Sequence, residues 1–373
     1  MKTVLCLTGQ PYSIKFGGLE RWYERNAQLG KTKFKFILAF LEKLPTPEIL
    51  QKFKESGIDC INFDPQKEGF AAYKALLKFH EIDIVHCHFE NSAFYLIPSK
   101  LCGKKTFLTF HMANFYVENL DWKSSRKTRL GVLLYKIKYK VLSYFVDHFF
   151  FVSNSVKSQH QSFFKFSSSK CKTLYLGVNN KVSKYIPKTE FNSVPIITTI
   201  GFLDDIKGID ILLCSLKILS DRQVPFTAQI IGSPLNKNNH NKYKEQVQKL
   251  KIGNKVTFLG NRNDIYSLLN ASDIYCQPSR SEALGFTIME AMECALPIVA
   301  SKVGGIPELI VHNKEGFLYD TNDISLLADY LQLLIENPKL RIRMGNSALC
   351  TVRQDKFDID KNILELHYIY TTL

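Results

Sequence analysis

The amino-acid sequence predicts an α/β protein made of two doubly wound domains, each built on a parallel sheet. Short apolar runs alternate with longer amphipathic ones along the 373 residues, which is typical of βαβ units. The alternation stops at 186–195, where IPKTEFNSVP has two prolines and no apolar period, and then it restarts. A chain of this length commonly forms two or three domains. We therefore expect one domain over 1–188 and a second over 195–355.

Each half supplies its own set of predicted strands. In the first half they are TVLCLTG (3–9), FKFILAFL (34–41), IDCINFD (58–64), IDIVHCHFE (82–90), KTFLTFHMAN (105–114) and DHFFFVSNS (147–155). In the second half they are PIITTIGFL (195–203), FTAQIIGSP (226–234), KVTFLGN (255–261), ASDIYCQPS (271–279) and LPIVASKVGG (296–305). A helix over 356–373 follows. Ligands of such sheets bind beyond the carboxyl ends of the strands, so a site in a cleft between the domains is expected.

Composition and charge exclude several classes of protein. The hydrophobic content of 45% with 23% charged residues is ordinary for a globular chain. Nine scattered cysteines without a CxxC pair indicate reduced thiols and a cytoplasmic protein rather than a disulfide framework. The start MKTVLCLTGQPYSI is too short for a signal-peptide core, and no apolar run reaches eighteen residues. The net charge of +14 lies almost entirely in residues 1–200, which hold 30 basic and 15 acidic side chains. This asymmetry predicts an anionic partner.

The most informative segment is 277–309, QPSRSEALGFTIMEAMECALPIVASKVGGIPEL. A strand ends in a polar turn that holds Glu282, and Gly285 lets the backbone approach closely before a helix that begins at about Thr287. Backbone N–H groups at such a helix start form an anion site suited to a diphosphate. Glu290, one turn further on, is placed to accept hydrogen bonds from a ribose diol, and Glu282 to meet a hydroxylated ring.

This segment resembles glycosyltransferase family 4, a family of retaining enzymes with the GT-B fold. Glu282 and Glu290 have its E-x7-E spacing, within PS-x2-E-x2-G-x4-EAM followed by LPIVAS-x-VGGIPE. The resemblance covers nearly the whole chain, and includes GGLE at 17–20 and the strand-end histidines of 84–88 and 109–111. It implies two Rossmann-like domains facing a central cleft, with the 356–373 helix packing back on the first domain.

The resemblance also implies roles for individual residues. Catalytic contacts with the transferred sugar and the leaving diphosphate are implied for Glu282, Lys207 and His111. Donor-binding positions are further implied, namely Gly17, Gly18, Arg262, Gly285, Phe286, Thr287 and Glu290. From the residues alone, Gly17-Gly18 before a helix could bind a phosphate or form a simple turn, and Arg262 could stack on the base or be solvated.

One position departs from the family pattern. In TTIGFLDDIKGID (198–210), Lys207 is present, but Phe202 stands where the family has an arginine. Phenylalanine cannot supply the bidentate fork that a guanidinium offers to phosphate. Three explanations stay open. Either Lys207 and the helix amides suffice to bind the diphosphate, or Arg280 or Lys302 reaches the diphosphate from elsewhere, or the handling of the donor is reduced or altered.

Neither a metal nor a cofactor is expected. His86, His88 and His111 could suggest a metal trio, but no carboxylate or cysteine pair supports it. The D-x-D at Asp358 and Asp360 lies in the C-terminal helical segment rather than after a strand, so solvated surface is expected there.

The basic stretch WKSSRKTRLGVLLYKIKYKVLSYFV (122–146) has seven Lys and Arg residues and no acid, interleaved with apolar side chains. It predicts an amphipathic element on an anionic membrane surface, peripheral at the inner face of the cytoplasmic membrane. The alternative is a helix packed on the core with a solvated basic face. Nucleic-acid binding is not expected, because no docking module is present.

Together these observations predict a retaining, hexosyltransferase-type glycosyltransferase. It would move a sugar from a nucleotide-sugar to a glycan or lipid-linked glycan, in bacterial surface polysaccharide synthesis such as that of the lipopolysaccharide O-antigen. One alternative is a GT-B nucleotide-sugar epimerase or hydrolase, and another is a degenerate, non-catalytic carbohydrate-binding protein. A dinucleotide-dependent dehydrogenase is disfavoured, since the first βα loop GQPYSIKFGGLE lacks G-x-G-x-x-G.

Overall fold

The computed structural model describes residues 1–8, 18–41, 43–113, 126–179, 185, 192–234 and 237–372, with the side chains of 65–66, 126–129 and 237–240 outside the description. The chain divides into two compact units. The first unit comprises Met1–Leu176 and Ile359–Leu373, and the second unit comprises Gly177–Asp358. The chain therefore passes between the units twice.

Among its described residues, the first unit holds a seven-stranded parallel sheet in the order β3-β2-β1-β4-β5-β6-β7. The strands are β1 (Lys2–Leu7), β2 (Phe34–Phe40), β3 (Ile58–Asn62), β4 (Ile84–His88), β5 (Lys105–Phe110), β6 (His148–Phe151) and β7 (Cys171–Thr173). The helices are α1 (Gly18–Gly30), α2 (Pro47–Glu55), α3 (Pro65–Phe79, interrupted at Gly69), α4 (Leu96–Leu101), α5 (Arg126–Phe145), α6 (Asn154–Phe164) and the C-terminal α14 (Ile359–Thr372).

The described part of the second unit repeats this plan with a six-stranded parallel sheet, in the order β10-β9-β8-β11-β12-β13. Its strands are β8 (Ile196–Ile200), β9 (Thr227–Ile231), β10 (Val256–Gly260), β11 (Ile274–Gln277), β12 (Ile298–Ser301) and β13 (Gly316–Tyr319). Its helices are α7 (Ile209–Asp221), α8 (Lys237–Lys249), α9 (Ile265–Ala271), α10 (Phe286–Glu293), α11 (Ile306–Leu309), α12 (Ile324–Glu336) and α13 (Pro338–Val352).

Both sheets have the strand order of the doubly wound Rossmann fold, with β7 added to the first, and this confirms the predicted α/β class. Because helices cover both faces of a parallel sheet, its strands are near-continuous apolar runs, such as the fully buried Val4–Leu7 stretch of β1. In each sheet the order in which successive strands are added reverses at one point, between β1 and β4 in the first unit and between β8 and β11 in the second. Ligands of doubly wound sheets bind outside the carboxyl ends of the strands at that point.

Helix α14 packs on the first unit. Ile363, Leu366 and Tyr370 belong to the same apolar core as Val4 and Ile84. The helix is also held by Arg25 of α1, whose Nε and Nη2 donate to the two carboxylate oxygens of Asp360 at 2.6 and 2.7 Å. Such a bidentate, charge-assisted pair fixes the orientation of both side chains.

Asp360 corrects one expectation. The D-x-D was expected to be solvated surface, but Asp360 is 5% exposed and paired with Arg25. The physical reason is that α14 buries one face against α1, and this aspartate lies on that face.

The boundaries between the units also differ from the expected positions. They lie at 176/177 and 358/359, rather than near 188 and 355. The backbone N–H of Val178 donates to the carbonyl of Phe357 at 2.8 Å, so the two chain crossings lie side by side.

Candidate active site

The loops that follow β8 and β11 bring two predicted site residues together in the second unit. Lys207 lies in the loop after β8 and Glu282 in the loop after β11, and these two strands are neighbours at the switch point of the sheet. Lys207 Nζ donates to Glu282 Oε2 at 2.7 Å, with the lysine side chain 23% and the glutamate side chain 13% exposed. Residues 75 positions apart in the sequence thus form a partly buried ion pair where a ligand of this fold would bind.

The Glu282 carboxylate ends a chain of hydrogen bonds from the buried strand β11. Tyr275 Oη donates to Gln277 Oε1 at 2.7 Å, and Gln277 Nε2 donates to Ser279 Oγ at 2.7 Å. Ser279 Oγ in turn donates to Glu282 Oε2 at 3.4 Å. Since the first three side chains are fully buried, this chain fixes where the carboxylate oxygen lies. Sequence reasoning missed Gln277 and Ser279, although two polar residues at the carboxyl end of an apolar strand were a visible signal.

Helix α10 begins beside this ion pair. Its N-cap, Gly285, has φ +99°, and a Cβ there would lie 2.8 Å from Ile288 Cδ1, so the turn requires glycine. Phe286 and Thr287 are the first two helical residues, and Thr287 Oγ1 donates to Gln277 Oε1 at 3.2 Å. Glu290, one turn into the helix, is 5% exposed. The first amides of a helix have no intrahelical acceptor, and together with the helix dipole they favour an anion at this end.

The loop after β12 supports Glu282 from the other side. The Gly305 N–H donates to the Glu282 carbonyl at 3.1 Å. Gly304 has φ +50°, and a Cβ there would lie 1.7 Å from the same carbonyl oxygen. Because Gly304 has no side chain, the backbone of the VGG motif can lie closer to the backbone of Glu282 than any other residue would allow.

The other candidate cations are placed differently. Arg280 donates from Nη1 and Nη2 to the carboxylate of Asp210 at 2.8 and 2.7 Å, and is engaged there. Arg262 makes an equivalent pair with Asp264 at 2.8 and 2.6 Å on the surface. Lys302 is exposed, and Phe202 is 45% exposed. Of the four candidate cations, which are Lys207, Arg262, Arg280 and Lys302, Lys207 is the one that contacts Glu282.

In the first unit, β4 and β5 bring three histidines together. His88 Nδ1 and His111 Nε2 are 3.0 Å apart, and the His86 and His88 rings stack with centroids 4.2 Å apart. His86 Nε2 lies 2.7 Å from Thr109 Oγ1. Burial lowers the pKa of His86 and of His111 to about 3, so both imidazoles are neutral near pH 7. Sequence reasoning weighed His88 only as a metal ligand, and missed this contact with His111.

Only one of the two glycines in the predicted glycine loop lies among the described residues. Gly17 lies outside the described residues, and Gly18 is the first residue of α1. Within the described part of the chain, no group of three or more His, Cys, Asp or Glu residues is arranged to hold a metal ion.

Helix α5 covers most of the basic stretch 122–146 and has two unlike faces. Val132, Tyr139 and Leu142 are buried against the first unit. The opposite face is an exposed apolar stripe of six side chains, each 46–70% exposed: Leu130, Leu133, Leu134, Ile137, Val141 and Tyr144. With about 100° per residue, Lys136 and Lys140 lie on one side of this stripe and Lys138 on the other. None of the described helices is long and apolar enough to span a bilayer.

Two sequence-family profiles match the chain. The profile described as Glycosyltransferase Family 4 matches residues 64–182, and that described as Glycosyl transferases group 1 matches residues 182–349. An uncharacterised glycosyltransferase of Haemophilus influenzae is 33% identical over 187 residues, which is 50% of each chain. The chain thus spans about half the length of this curated relative.

Solved structures resemble the whole chain. HepE of Anabaena, solved in complex with UDP and glucose, superposes with a TM-score of 0.81 at 20% identity and covers 100% of both chains. WaaG, a glycosyltransferase involved in lipopolysaccharide biosynthesis, superposes with a TM-score of 0.74 at 16% identity, also over 100% of both chains. At these identities the similarity shows a common fold.

Proposed function

Because the chain belongs to the GT-B glycosyltransferases of family 4, we propose that it transfers a sugar from a nucleotide-sugar to a hydroxyl of a glycan or lipid-linked glycan, with retention of anomeric configuration. The observation that carries this proposal is the Lys207–Glu282 ion pair beside the start of α10, at the switch point of the second sheet. It combines a cation, the backbone amides at the start of a helix and a carboxylate held in place, which are groups that can bind the diphosphate and the hydroxyls of a nucleotide-sugar.

Each group has a proposed task. Transfer requires that an oxocarbenium-like centre and a departing diphosphate be stabilised together. Lys207 and the amides of Gly285, Phe286 and Thr287 hold the charge that develops on the diphosphate. Glu282 accepts hydrogen bonds from the sugar hydroxyls, and Glu290 accepts those from the ribose.

The transferred sugar is further oriented by His111, and in a front-face reaction the leaving phosphate oxygen takes the acceptor proton. No protein base is then required, and the low pKa of His111 suits a hydrogen-bonding rather than a proton-accepting role. Glu282, Lys207 and His111 are thus the proposed catalytic residues, with Arg262, Gly17 and Gly18 as further donor-binding positions. The proposed reaction uses neither a metal nor a cofactor.

Phe202 limits which groups can bind the diphosphate of the donor. Since Arg280 is engaged by Asp210 and Phe202 carries no charge, we assign the diphosphate to Lys207 and the α10 amides. This is the first of the three explanations that the sequence left open.

A transfer assay tests the proposed activity. The protein is incubated with a panel of nucleotide-sugars, UDP-glucose first, with and without a mixture of glycan acceptors, and products are followed by mass spectrometry and NMR. We expect acceptor-dependent product with the anomeric configuration of the donor. Donor turnover without acceptor would indicate the epimerase or hydrolase instead. Transfer that survives Glu290→Ala unchanged would contradict the ribose assignment, and no turnover with any donor would favour a non-catalytic binding protein.

The exposed stripe of α5 supports a second part of the proposal, that the protein binds an anionic membrane surface at the inner face of the cytoplasmic membrane. Six apolar side chains face outward with lysines on both flanks, which is the arrangement of a helix that lies in the interface plane. A lipid-linked acceptor would be found at such a surface. This placement fits a role in bacterial surface polysaccharide synthesis.

Replacing Leu134 and Ile137 together with serine is expected to weaken binding to vesicles of phosphatidylglycerol and phosphatidylcholine by about 10- to 100-fold. Each substitution removes apolar area that membrane contact would bury, at about 25 cal/mol per Å². Both side chains are at least 50% exposed, so the free energy of unfolding should hardly change. Vesicle co-sedimentation and thermal melting measure the two quantities.

The matched control is Leu364→Ser with Tyr368→Ser, which removes equally exposed apolar side chains from α14. This variant should bind vesicles like the unmodified protein. Replacing Lys136, Lys138 and Lys140 with glutamate, in an otherwise unmodified protein, should also release the protein from these vesicles. Vesicle binding that is unaffected by both the apolar and the charge variants would contradict the membrane proposal.

A further inference from the structure

We propose that His88 is a positioning residue, which holds the His111 ring in one orientation and one tautomer. The inference rests on the proposed function for the role of His111, and on geometry for the role of His88. His88 Nδ1 lies 3.0 Å from His111 Nε2, and the ring centroids are 5.3 Å apart in a stacked arrangement. His88 is 1% exposed, so it has almost no contact with solvent.

The His88 ring is itself fixed on several sides. It stacks on His86, and it makes T-shaped contacts with Trp22 and Tyr23, whose ring centroids are 5.4 and 5.0 Å away. His86 is anchored in turn by hydrogen bonds to Thr109 Oγ1 and Tyr370 Oη. An imidazole enclosed in this way has one available ring orientation, and it passes that constraint to His111.

The same contacts select a tautomer. Burial lowers the pKa of both His88 and His111, so each neutral ring carries one N–H. His88 Nε2 is buried with no hydrogen-bond partner among the described residues, whereas its Nδ1 faces His111. Orphaned buried N–H groups are rarer in proteins than under-satisfied acceptors. The proton of His88 therefore lies on Nδ1 and is donated to His111 Nε2. His111 then carries its own proton on Nδ1, which makes that nitrogen a donor for an oxygen ligand such as a sugar hydroxyl.

Phe89 gives independent support. It follows His88 directly and has φ +82°, a conformation that is costly for a bulky residue and that tends to occur at functional sites. This backbone places the Phe89 ring 4.7 Å from the His111 ring, while its N–H donates to the Thr109 carbonyl at 3.2 Å. A second aromatic ring thus restricts His111 at the expense of local strain.

Two substitutions of His88 separate positioning from packing. In His88→Asn, the side-chain amide can supply an N–H close to the position of Nδ1, whereas His88→Phe fills the space without a donor. We expect His88→Phe to lower kcat about 10- to 100-fold with the KM for donor changed less than threefold, because a misplaced contact acts on the transition state. His88→Asn should recover most of the kcat.

The decisive readout does not need activity. In protein labelled with ¹⁵N-histidine, NMR distinguishes the Nδ1–H from the Nε2–H tautomer of His111, whose signals are assigned with His111→Gln. We expect the Nδ1–H form in the unmodified protein and in His88→Asn, and a shift toward the Nε2–H form in His88→Phe. An Nε2–H form in the unmodified protein, or the same tautomer and the same kcat in all three proteins, would overturn the inference. Full transfer by His111→Gln would instead overturn the proposed role of His111 in the reaction, while the tautomer result would stand by itself.

Discussion

Lys207→Ala is expected to lower acceptor-dependent transfer by about 10²- to 10³-fold, which is the effect typical of removing one donor to a developing negative charge. Lys207 Nζ is 2.7 Å from Glu282 and 23% exposed, so the ammonium acts in a partly desolvated setting where its charge is less screened than in water. Because Lys207 lies in a loop, the substitution should leave the protein folded, and thermal melting tests this. Steady-state kcat/KM measures the loss.

Glu282→Gln should reduce transfer to a similar extent, since a neutral amide accepts weaker hydrogen bonds from the sugar hydroxyls. The matched control is Lys217→Ala, which breaks an i,i+4 ion pair with Asp221 on an exposed face of α7. Exposed pairs of this kind contribute little to stability, so this variant should keep full transfer. Near-normal kcat/KM in both Lys207→Ala and Glu282→Gln would break the site assignment.

Gly304→Ala is expected to abolish measurable transfer and to lower the melting temperature by several degrees. Its Cβ would lie 1.7 Å from the Glu282 carbonyl oxygen, and its φ of +50° is unfavourable for alanine. The loop after β12 must therefore move away, and Glu282 loses both its backbone support and its position. Overpacking of this kind typically costs about 1–3 kcal/mol of unfolding free energy.

Gly253→Ala is the control for Gly304→Ala. The nearest atom to a Cβ at Gly253 is Val247 Cγ1 at 3.8 Å, which is an ordinary contact. Kinetics and differential scanning calorimetry on both variants give the comparison. Full activity of Gly304→Ala would show that the position of Glu282 does not matter for the reaction.

Much of the fold was predictable because buried parallel strands are continuous apolar runs. FKFILAFL predicts β2 to within one residue, and IIT in 195–203 lies in β8. The edge strands β7 (Cys171–Thr173) and β13 (Gly316–Tyr319) were missed. Each is defined by its pairing with a neighbouring strand, β6 and β12 respectively, rather than by a periodic pattern in the sequence.

The candidate site was predictable to a lesser degree. The strand, polar turn and Gly285 predicted the helix start to within one residue, because these elements follow one another directly in the sequence. The pairing of Lys207 with Glu282 depends instead on two loops from strands that are neighbours only in the sheet. His88 and His111 meet for the same reason, since β4 and β5 are adjacent. Asp360 was misjudged because its partner Arg25 lies 335 positions away in the sequence.

The packing of α14 on the first unit has a consequence for biosynthesis. Residues 177–358 form one uninterrupted stretch, so the second unit can complete its core as soon as that stretch has left the ribosome. The first unit cannot, because Ile363, Leu366 and Tyr370 of its core are translated last. Until these residues are translated, the apolar surface that α14 covers in the folded protein stays exposed. A stop codon before residue 359 should therefore yield a well-formed second unit attached to an aggregation-prone first one.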